Sequence, residues 1–473
     1  MENPMYTGEV SDTGIRRIFS DAADLNIRQL RCGDSVIYVY AIDGLTSGRD
    51  ISEYIIKPLL EHLEGASAQE RYDRALYRVV VNSVAKPCSG LEDVARFLVN
   101  GFCVVLFPDA GALAFEVKTG EKRGISVPDL EHTAKGAKDA FTETIRTNTS
   151  LLRRHIRTPQ LRIYETVVGQ RSLTNVAVVW IDGLTNEGYV NRLKKRLGQL
   201  DIDGLLTPAA VEEYMTGSRK TAFPLLQYTE RTDRFSTGLL RGRVGLLVDG
   251  IPLGYLLPVD LGYLMDSPED LSRDYLSASW VRVLRYAALG LSLLLPAVYI
   301  VMTVYHFSWV PEPLHTVLAE NSVPFSPVWE VLSLLLAFEL LQESGVHLPQ
   351  SIGQSVSIIG GIVVGTAGVE AGVISSMALI MVSIAGVCGF VLPNRDLAAA
   401  VRLWRFFLAI LSALAGFVGM AVGLGLLAIH LLRLKSLDVP YLVPCPPAIL
   451  RKRLVREKYR DPHLKTRDRR NQS

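Results

Sequence analysis

Lysine and arginine are missing from the whole interval between Arg285 and Arg395. A stretch this long without a basic residue does not suit the surface of a water-soluble domain. Cysteine is scarce: Cys32, Cys88, Cys103, Cys388 and Cys445 are scattered without a C-x-x-C pair. That spacing indicates neither a zinc ribbon nor a disulfide framework, and free thiols in a reducing compartment are expected. Net charge is almost absent, with 50 basic residues against 48 acidic ones leaving +2, which excludes a globally basic nucleic-acid binder and an acidic disordered chain. No G-x-x-x-x-G-K-[ST], no G-x-G-x-x-G after a strand, no H-E-x-x-H and no G-x-S-x-G occurs, so the common nucleotide, zinc-protease and hydrolase chemistries have no carrier. Without a nucleophile–base or metal constellation, neither an enzyme nor a cofactor is expected. The N-terminal Met-Glu-Asn-Pro-Met-Tyr lacks a basic region ahead of an apolar core, which argues against a cleaved signal peptide, and the first 270 residues are expected to be cytoplasmic.

What is present falls into two halves. At 473 residues the chain is too long for one ordinary domain. Up to about residue 275, short β-branched runs alternate with amphipathic helical stretches, the pattern of an α/β region. Two runs are alike: Tyr38–Thr46 (YVYAIDGLT) and Val178–Thr185 (VVWIDGLT) each read as a strand ending in Asp-Gly-Leu-Thr, with Asp43 and Asp182 139 positions apart. A second pair, Phe102–Asp109 and Arg243–Asp249, repeats an apolar strand ending in Asp at an offset of 140. Two matches at nearly one offset indicate a tandem duplication. The expected subdomains are 1–135 and 159–275, joined by a linker helix at 136–158. Asp43 and Asp182 read first as turn and helix-cap residues, with phosphate or metal binding as the sharper alternative.

The linker carries Arg146, Arg153, Arg154 and Arg157, the basic face of a helix suited to acidic lipid headgroups or an acidic neighbouring subunit, against the plainer reading of a solvated face.

Beyond residue 275 the chain turns apolar. Val283–Tyr305, Ser351–Ala371, Ile374–Leu392 and Phe406–Leu432 are each long enough to cross a hydrocarbon core of about 30 Å. Val328–Leu341 is shorter and is interrupted or flanked by Glu330, Glu339 and Glu343, so it reads as an amphipathic or re-entrant helix. The expected membrane domain is therefore 276–445, with about four spans, followed by a basic cytoplasmic tail at 446–473. Arg273, Arg282 and Arg285 before the first span, and the tail after the last, put both ends in the cytoplasm. Arg395, Arg402 and Arg405 then fall on the outer side, unless Phe406–Leu432 is a hairpin or the Glu-bearing helix crosses. Gly361, Gly365, Gly368 and Gly372 supply two G-x-x-x-G spacings, and Gly419 and Gly423 another; such spacings let helix backbones approach closely in lipid. Because the first stretch also carries Thr366 and Glu370, it is a candidate lining for a pathway as well as a packing face. Glu339 and Glu343 are candidate gating or polar membrane contacts.

Several runs resemble the GerA-type A subunits of bacterial spore germinant receptors. In the α/β part these are Phe141–Glu143, Arg146–Thr149, Leu152–Arg154, Asp201–Gly204, Gln227–Arg234 and Gly242–Gly250. In the apolar part they are Leu294–Ala297, Phe338–Leu341, Leu348–Gly353, Val369–Ser375 and Leu434–Leu442. The chain departs from the family pattern at Thr144, at Gln342-Glu343-Ser344 and at Gly365-Thr366-Ala367-Gly368. The resemblance implies an integral protein of the spore inner membrane, with its N-terminal domain and C-terminal tail in the spore core. It also implies a homo-oligomer, pentameric by expectation, that works with a transporter-like B subunit and a lipoprotein C subunit as a nutrient-gated channel releasing monovalent cations. The alternatives are a paralogue that amplifies germination without sensing nutrients and a membrane scaffold that conducts no ions. A secondary transporter fits poorly, because no inverted repeat is visible. Membrane lipids are expected contacts and nucleic acid is not.

Overall fold

The computed structural model describes residues 6–32, 35–63, 67–118, 128, 131, 135–217, 221–309, 323–346 and 365–442. They form two compact units, one within Met1–Ser218 and Leu226–Pro258 and the other within Arg219–Leu225 and Val259–Pro462.

The first unit contains the duplication. One sheet has β1 (Leu25–Cys32), β2 (Ser35–Ile42), β3 (Ala85–Cys88), β4 (Phe102–Phe107) and β5 (Gly111–Glu116) in the order β1-β2-β4-β5-β3. The other has β6 (Leu161–Val168), β7 (Thr174–Ile181), β8 (Gln227–Thr229), β9 (Val244–Val248) and β10 (Gly254–Leu257) in the order β6-β7-β9-β10-β8. The two orders are the same, and all neighbouring strands are antiparallel. Strand side chains alternate between faces, and in the first sheet both faces are covered. Ile37, Val39, Cys103, Val105, Phe107, Leu113 and Phe115 pack in one cluster with Ile55 and Leu59, whereas Tyr40, Ile42, Val104, Leu106, Ala112 and Ala114 pack in another with Ile15, Ile18, Val94 and Leu98. Burial on both sides is why Phe102–Phe107 reads as an unbroken apolar run. Each Val, Leu, Ile or Phe among them contributes about 1.5–3 kcal/mol when fully buried.

The repeated turns match in detail. Gly101 and Gly242 both have positive φ (+81° and +83°), and a Cβ there would sit 3.0 Å from the Leu45 carbonyl oxygen and 3.2 Å from that of Leu184. Leu45 and Leu184 belong to the two Asp-Gly-Leu-Thr turns, so each turn is seated on the glycine preceding the third strand of its sheet's spatial order. Glycine is needed at both positions for conformation and for space.

The second unit is helical. Its principal helices are Tyr275–Ile300, continued by a π-helical turn to Tyr305, then Pro327–Val346, Ser376–Phe390 and Arg395–Arg433. Tyr275–Tyr305 (31 residues) and Arg395–Arg433 (39 residues) are long and apolar enough to cross a membrane. The second of these is not one rod. Ala415 and Gly416 leave helical geometry, with Gly416 at φ +58°, and the chain reverses there. Trp404 and His430 have ring centroids 5.6 Å apart, whereas a continuous helix would separate them by about 39 Å at 1.5 Å per residue. A Cβ on Gly419 would lie 1.9 Å from the Leu411 carbonyl oxygen, and one on Gly423 would lie 2.5 Å from the Leu408 side chain. The small residues thus bring two arms, 395–414 and 417–433, into backbone contact. Tyr305 donates from its hydroxyl to the Ala413 carbonyl at 2.7 Å, satisfying a group the reversal leaves without a helical partner.

Several expectations change. Phe406–Leu432 is a hairpin, not a single crossing, which returns Arg395, Arg402 and Arg405 to the same end as His430 and Arg433. The helix expected over Val328–Leu341 extends over Pro327–Val346 and is not amphipathic: exposed Trp329, Leu336 and Leu340 oppose buried Val331, Leu334 and Leu335. Ile374–Leu392 becomes a helix of 15 residues, about 22 Å long. Of Ser351–Ala371, the stretch 351–364 lies outside the described residues and 365–370 is a short helix. Residues 259–275, expected with the second subdomain, belong to the helical unit. Val259 N–H donates to Ser436 Oγ at 3.0 Å and Leu261 N–H to the Tyr441 carbonyl at 3.0 Å.

Candidate functional site

The linker helix Ile145–His155 sits where the two repeats meet. Its start is fixed by side chains that take up free backbone donors. Asp249 accepts from Ile145 N–H at 2.9 Å, and fully buried Asn148 accepts from Thr142 N–H at 2.8 Å while donating to the Thr142 carbonyl at 2.6 Å. Phe141 stands edge-on to Phe235 with centroids 5.2 Å apart. Both rings occupy the space a side chain at Gly254 would need.

Arginines then join the halves. Arg153, expected on an exposed basic face, is 0% exposed and binds Asp24, itself 1% exposed, through Nε and Nη2 at 2.7 and 2.8 Å. Its guanidinium is therefore closed to lipid or a neighbouring subunit, because the face that carries it is turned into the first repeat. Arg162 donates to the Ile18 and Ser20 carbonyls and to Asp182, and Arg146 lies 3.3 Å from Asp43 and 3.1 Å from Glu165. Burial pushes the Glu165 carboxyl up, against the pull of Arg146. Asp43 and Asp182 are thus occupied by arginines as well as by turns. Arg157 remains exposed and Arg154 half-buried.

At its other end the linker helix meets the start of the helix Thr232–Leu240. Asp139 accepts from Thr232 Oγ1 at 2.6 Å and pairs with His155 Nε2. Burial would raise the Asp139 carboxyl, but these hydrogen bonds outweigh it and hold Asp139 down at about 2. The same bond raises His155, against the opposing effect of burial. One carboxylate oxygen receives both partners, so this is a joint and not a proton relay. Arg231, 2% exposed, binds Asp233 and the Ala137 carbonyl, and Arg234 pairs with Glu131.

In the helical unit the candidate pathway residues divide. Gly361 lies outside the described residues. Gly365 and Gly368 face Leu379 and Ile374 of the same chain, so their inner side is already packed. Gly372 has φ +62° and ends the short helix, with Val373 and Ile374 N–H both donating to the Gly368 carbonyl. The Gly368/Gly372 spacing therefore caps the short helix. Thr366, Ala367, Glu370, Ala371 and Gly372 are exposed. Glu330 is buried and accepts from Ser375 N–H at 2.8 Å, fixing the helix that follows. Glu339 lies 3.1 Å from Arg402, and Glu343 is exposed. Two aspartates balance the arginines of the first long helix: Asp270 accepts from Arg282 and Arg285 at 3.2 and 2.7 Å, and Asp266 lies 3.0 Å from Arg282. Sequence reasoning missed Asp24, Arg162 and the anchoring role of Arg231. An arginine within an apolar strand, as at Arg162, is the one signal from which such a pair could have been found.

A family model described as Bacillus/Clostridium GerA spore germination protein matches residues 13–472. The chain is similar to the protein named Uncharacterized membrane protein YfkQ of Bacillus subtilis (strain 168), at 35% identity over 431 residues, 90% of this chain and 83% of that one. It is similar to Spore germination protein KA of the same organism at 32% identity, over 94% of this chain and 82% of that one. The crystal structure of the N-terminal domain of the A subunit of the Bacillus megaterium spore germinant receptor GerK3 aligns at 24% identity and a TM-score of 0.41, covering 53% of this chain and 95% of that domain.

Proposed function

Because the chain belongs to the GerA family of spore germination proteins, we propose that it acts as the A subunit of a nutrient-gated ion channel in the spore inner membrane. In this reading several copies assemble around a route for monovalent cations, in company with a B subunit and a lipoprotein C subunit. The α/β unit and the C-terminal tail face the spore core, and the chain catalyses no reaction. The observation that supports the channel is the exposed edge at Thr366, Ala367, Glu370, Ala371 and Gly372. Elsewhere the helical unit exposes large apolar groups such as Leu403, Leu414, Val418 and Ile429, which suit lipid. A small and acidic edge does not, because a carboxylate in hydrocarbon is disfavoured by about 2.5–3.5 kcal/mol. Neighbouring copies and a wet pathway are its natural surroundings.

The test is cation release from spores carrying Thr366→Phe. Slower release at unchanged abundance is expected, since the side chain is exposed and its enlargement need not disturb the fold. Wild-type release rates would favour the scaffold reading.

A further inference from the structure

Among its described residues the helical unit buries one cation that lacks a hydrogen-bonded counter-group. Arg405 is 1% exposed, and neither Nε nor Nη1 has a hydrogen-bond partner. The charged groups within electrostatic reach of it are Glu339 and Arg402. Glu339 Oε1 lies 3.1 Å from Arg402 Nε as an ion pair without a hydrogen bond, so that Nε and Glu339 Oε2 are both buried without a hydrogen-bond partner. Among the described residues two guanidiniums therefore share a single carboxylate, which lies beside one of them. An arrangement with a charge left over inside a low-dielectric bundle is costly, and a neighbouring arrangement that pairs it competes well.

The spacing of the residues supplies that neighbour. The helix Pro327–Val346 runs antiparallel to the arm 395–414. Its early residues Val331, Leu334 and Leu335 share a cluster with Ala409 and Ala413, whereas the later Glu339 meets Arg402. Glu339 and Glu343 are one turn apart on their helix, as are Arg402 and Arg405 on theirs. Sliding Pro327–Val346 by one turn, about 5.4 Å, towards the reversal at Gly416 carries Glu339 from Arg402 to Arg405. The same slide brings Glu343 level with Arg402.

We propose that these helices form a two-register ratchet, in which Glu339 exchanges Arg402 for Arg405 as Pro327–Val346 moves by one turn. Ratchets of one turn between packed elements are a known form of switch, and alanines at the contact ease the passage. The movement has a mechanical output: Glu330, on the sliding helix, accepts from Ser375 N–H, so displacement pulls on the turn that follows Glu370 and Gly372. Its use as a gate rests on the channel reading above, whereas the exchange of partners does not.

The experiment is a spin-label distance measurement on the full chain in lipid vesicles with its companion subunits. Labels replace the exposed Leu340 and Leu403 (63% and 61%) in a background without other cysteines. Arg402→Gln removes the partner of the observed register and should raise a second distance, shifted by up to about 5 Å, at least about tenfold. Arg405→Gln should abolish that second distance, also in the double variant, while Arg402→Lys and Arg405→Lys retain wild-type behaviour and control for folding. A single distance in Arg402→Gln, or a second one that survives Arg405→Gln, overturns the ratchet. Failure of the channel reading looks different: the distances split as expected but Thr366→Phe leaves cation release unchanged.

Discussion

The α/β unit and the helical unit both bury arginine, and they do so to different ends. Arg153 and Asp24 form a closed pair, with both side chains out of solvent and two parallel hydrogen bonds between them. Arg231 is likewise surrounded by acceptors. Among the described residues of the helical unit, Asp266 and Asp270 balance Arg282 and Arg285 in charge, although Asp270 Oδ1 is buried without a donor. At Arg402 and Arg405 it leaves the account open. A guanidinium whose donors are all met has one low-energy position and fixes the parts it joins. One whose donors are unmet, beside a carboxylate already shared, is not fixed in this way, and in the proposed ratchet it offers that carboxylate a second position. The lesson is that burial of charge does not by itself indicate rigidity; completeness of pairing does.

The sharpest way to break this comparison is to remove one arginine of each kind. Arg153→Leu strands Asp24 in a dry interior, and the expected loss is about 3–5 kcal/mol of stability, read as a lowered unfolding midpoint of the full chain in denaturant. Asp24→Leu together with Arg153→Leu should restore most of the loss, because two apolar groups of similar volume replace a pair that is costly to desolvate. Arg405→Leu should leave the midpoint unchanged or raise it, since no partner is stranded. Equal losses from Arg153→Leu and Arg405→Leu would remove the distinction.

A smaller effect separates packing from charge within the α/β unit. A Cβ at Gly245 would lie 2.2 Å from the ring of Phe235, which is fully buried against Phe141. Gly245→Ala should therefore cost about 1–3 kcal/mol by overpacking, measured by the same unfolding midpoint. A neutral outcome would mean that the ring has room to turn, and that the joint between linker and second repeat depends on its polar bonds alone.

What the sequence made legible follows from distance along the chain. The duplication was readable because its signals are local: an apolar strand followed by Asp and a turn, repeated at nearly one offset. The first long helix was readable for the same reason, as an apolar run with its only charges near its start. Arg153 was misread because its partner, Asp24, lies 129 residues earlier in a segment with no pattern of its own. The four linker arginines share a local spacing, but burial assigned one of them to the interior. The reversal at Ala415-Gly416 was hidden by composition, since a glycine inside an apolar run is common in membrane helices and no proline or asparagine marks the turn. The charge pattern did carry a hint, because Arg395, Arg402 and Arg405 fit the cytoplasmic side only if the last segment folds back.

The smallest expected effect distinguishes two sides of the last turn of the linker helix. At one side Arg153 holds Asp24, and an arginine stays charged across all accessible pH. At the other, His155 holds Asp139, and that bond titrates. The folded-state pKa of His155 is raised above its ordinary value of 6.5 by the bond to Asp139. Its contribution to stability is therefore complete below that value and is lost as pH rises through the raised one. Asp139 is depressed to about 2, so its contribution is present above its ordinary 3.8 and is lost only as pH falls towards 2. Between these limits the joint is intact; above them it loosens on the alkaline side while the Arg153 pair persists. Thermal midpoints of the full chain should accordingly decline modestly as pH rises above 6.5, and His155→Gln should flatten that decline without altering the response to Arg153→Leu. A decline of the same slope in His155→Gln would assign the pH response to another group and leave the two sides of that turn equivalent.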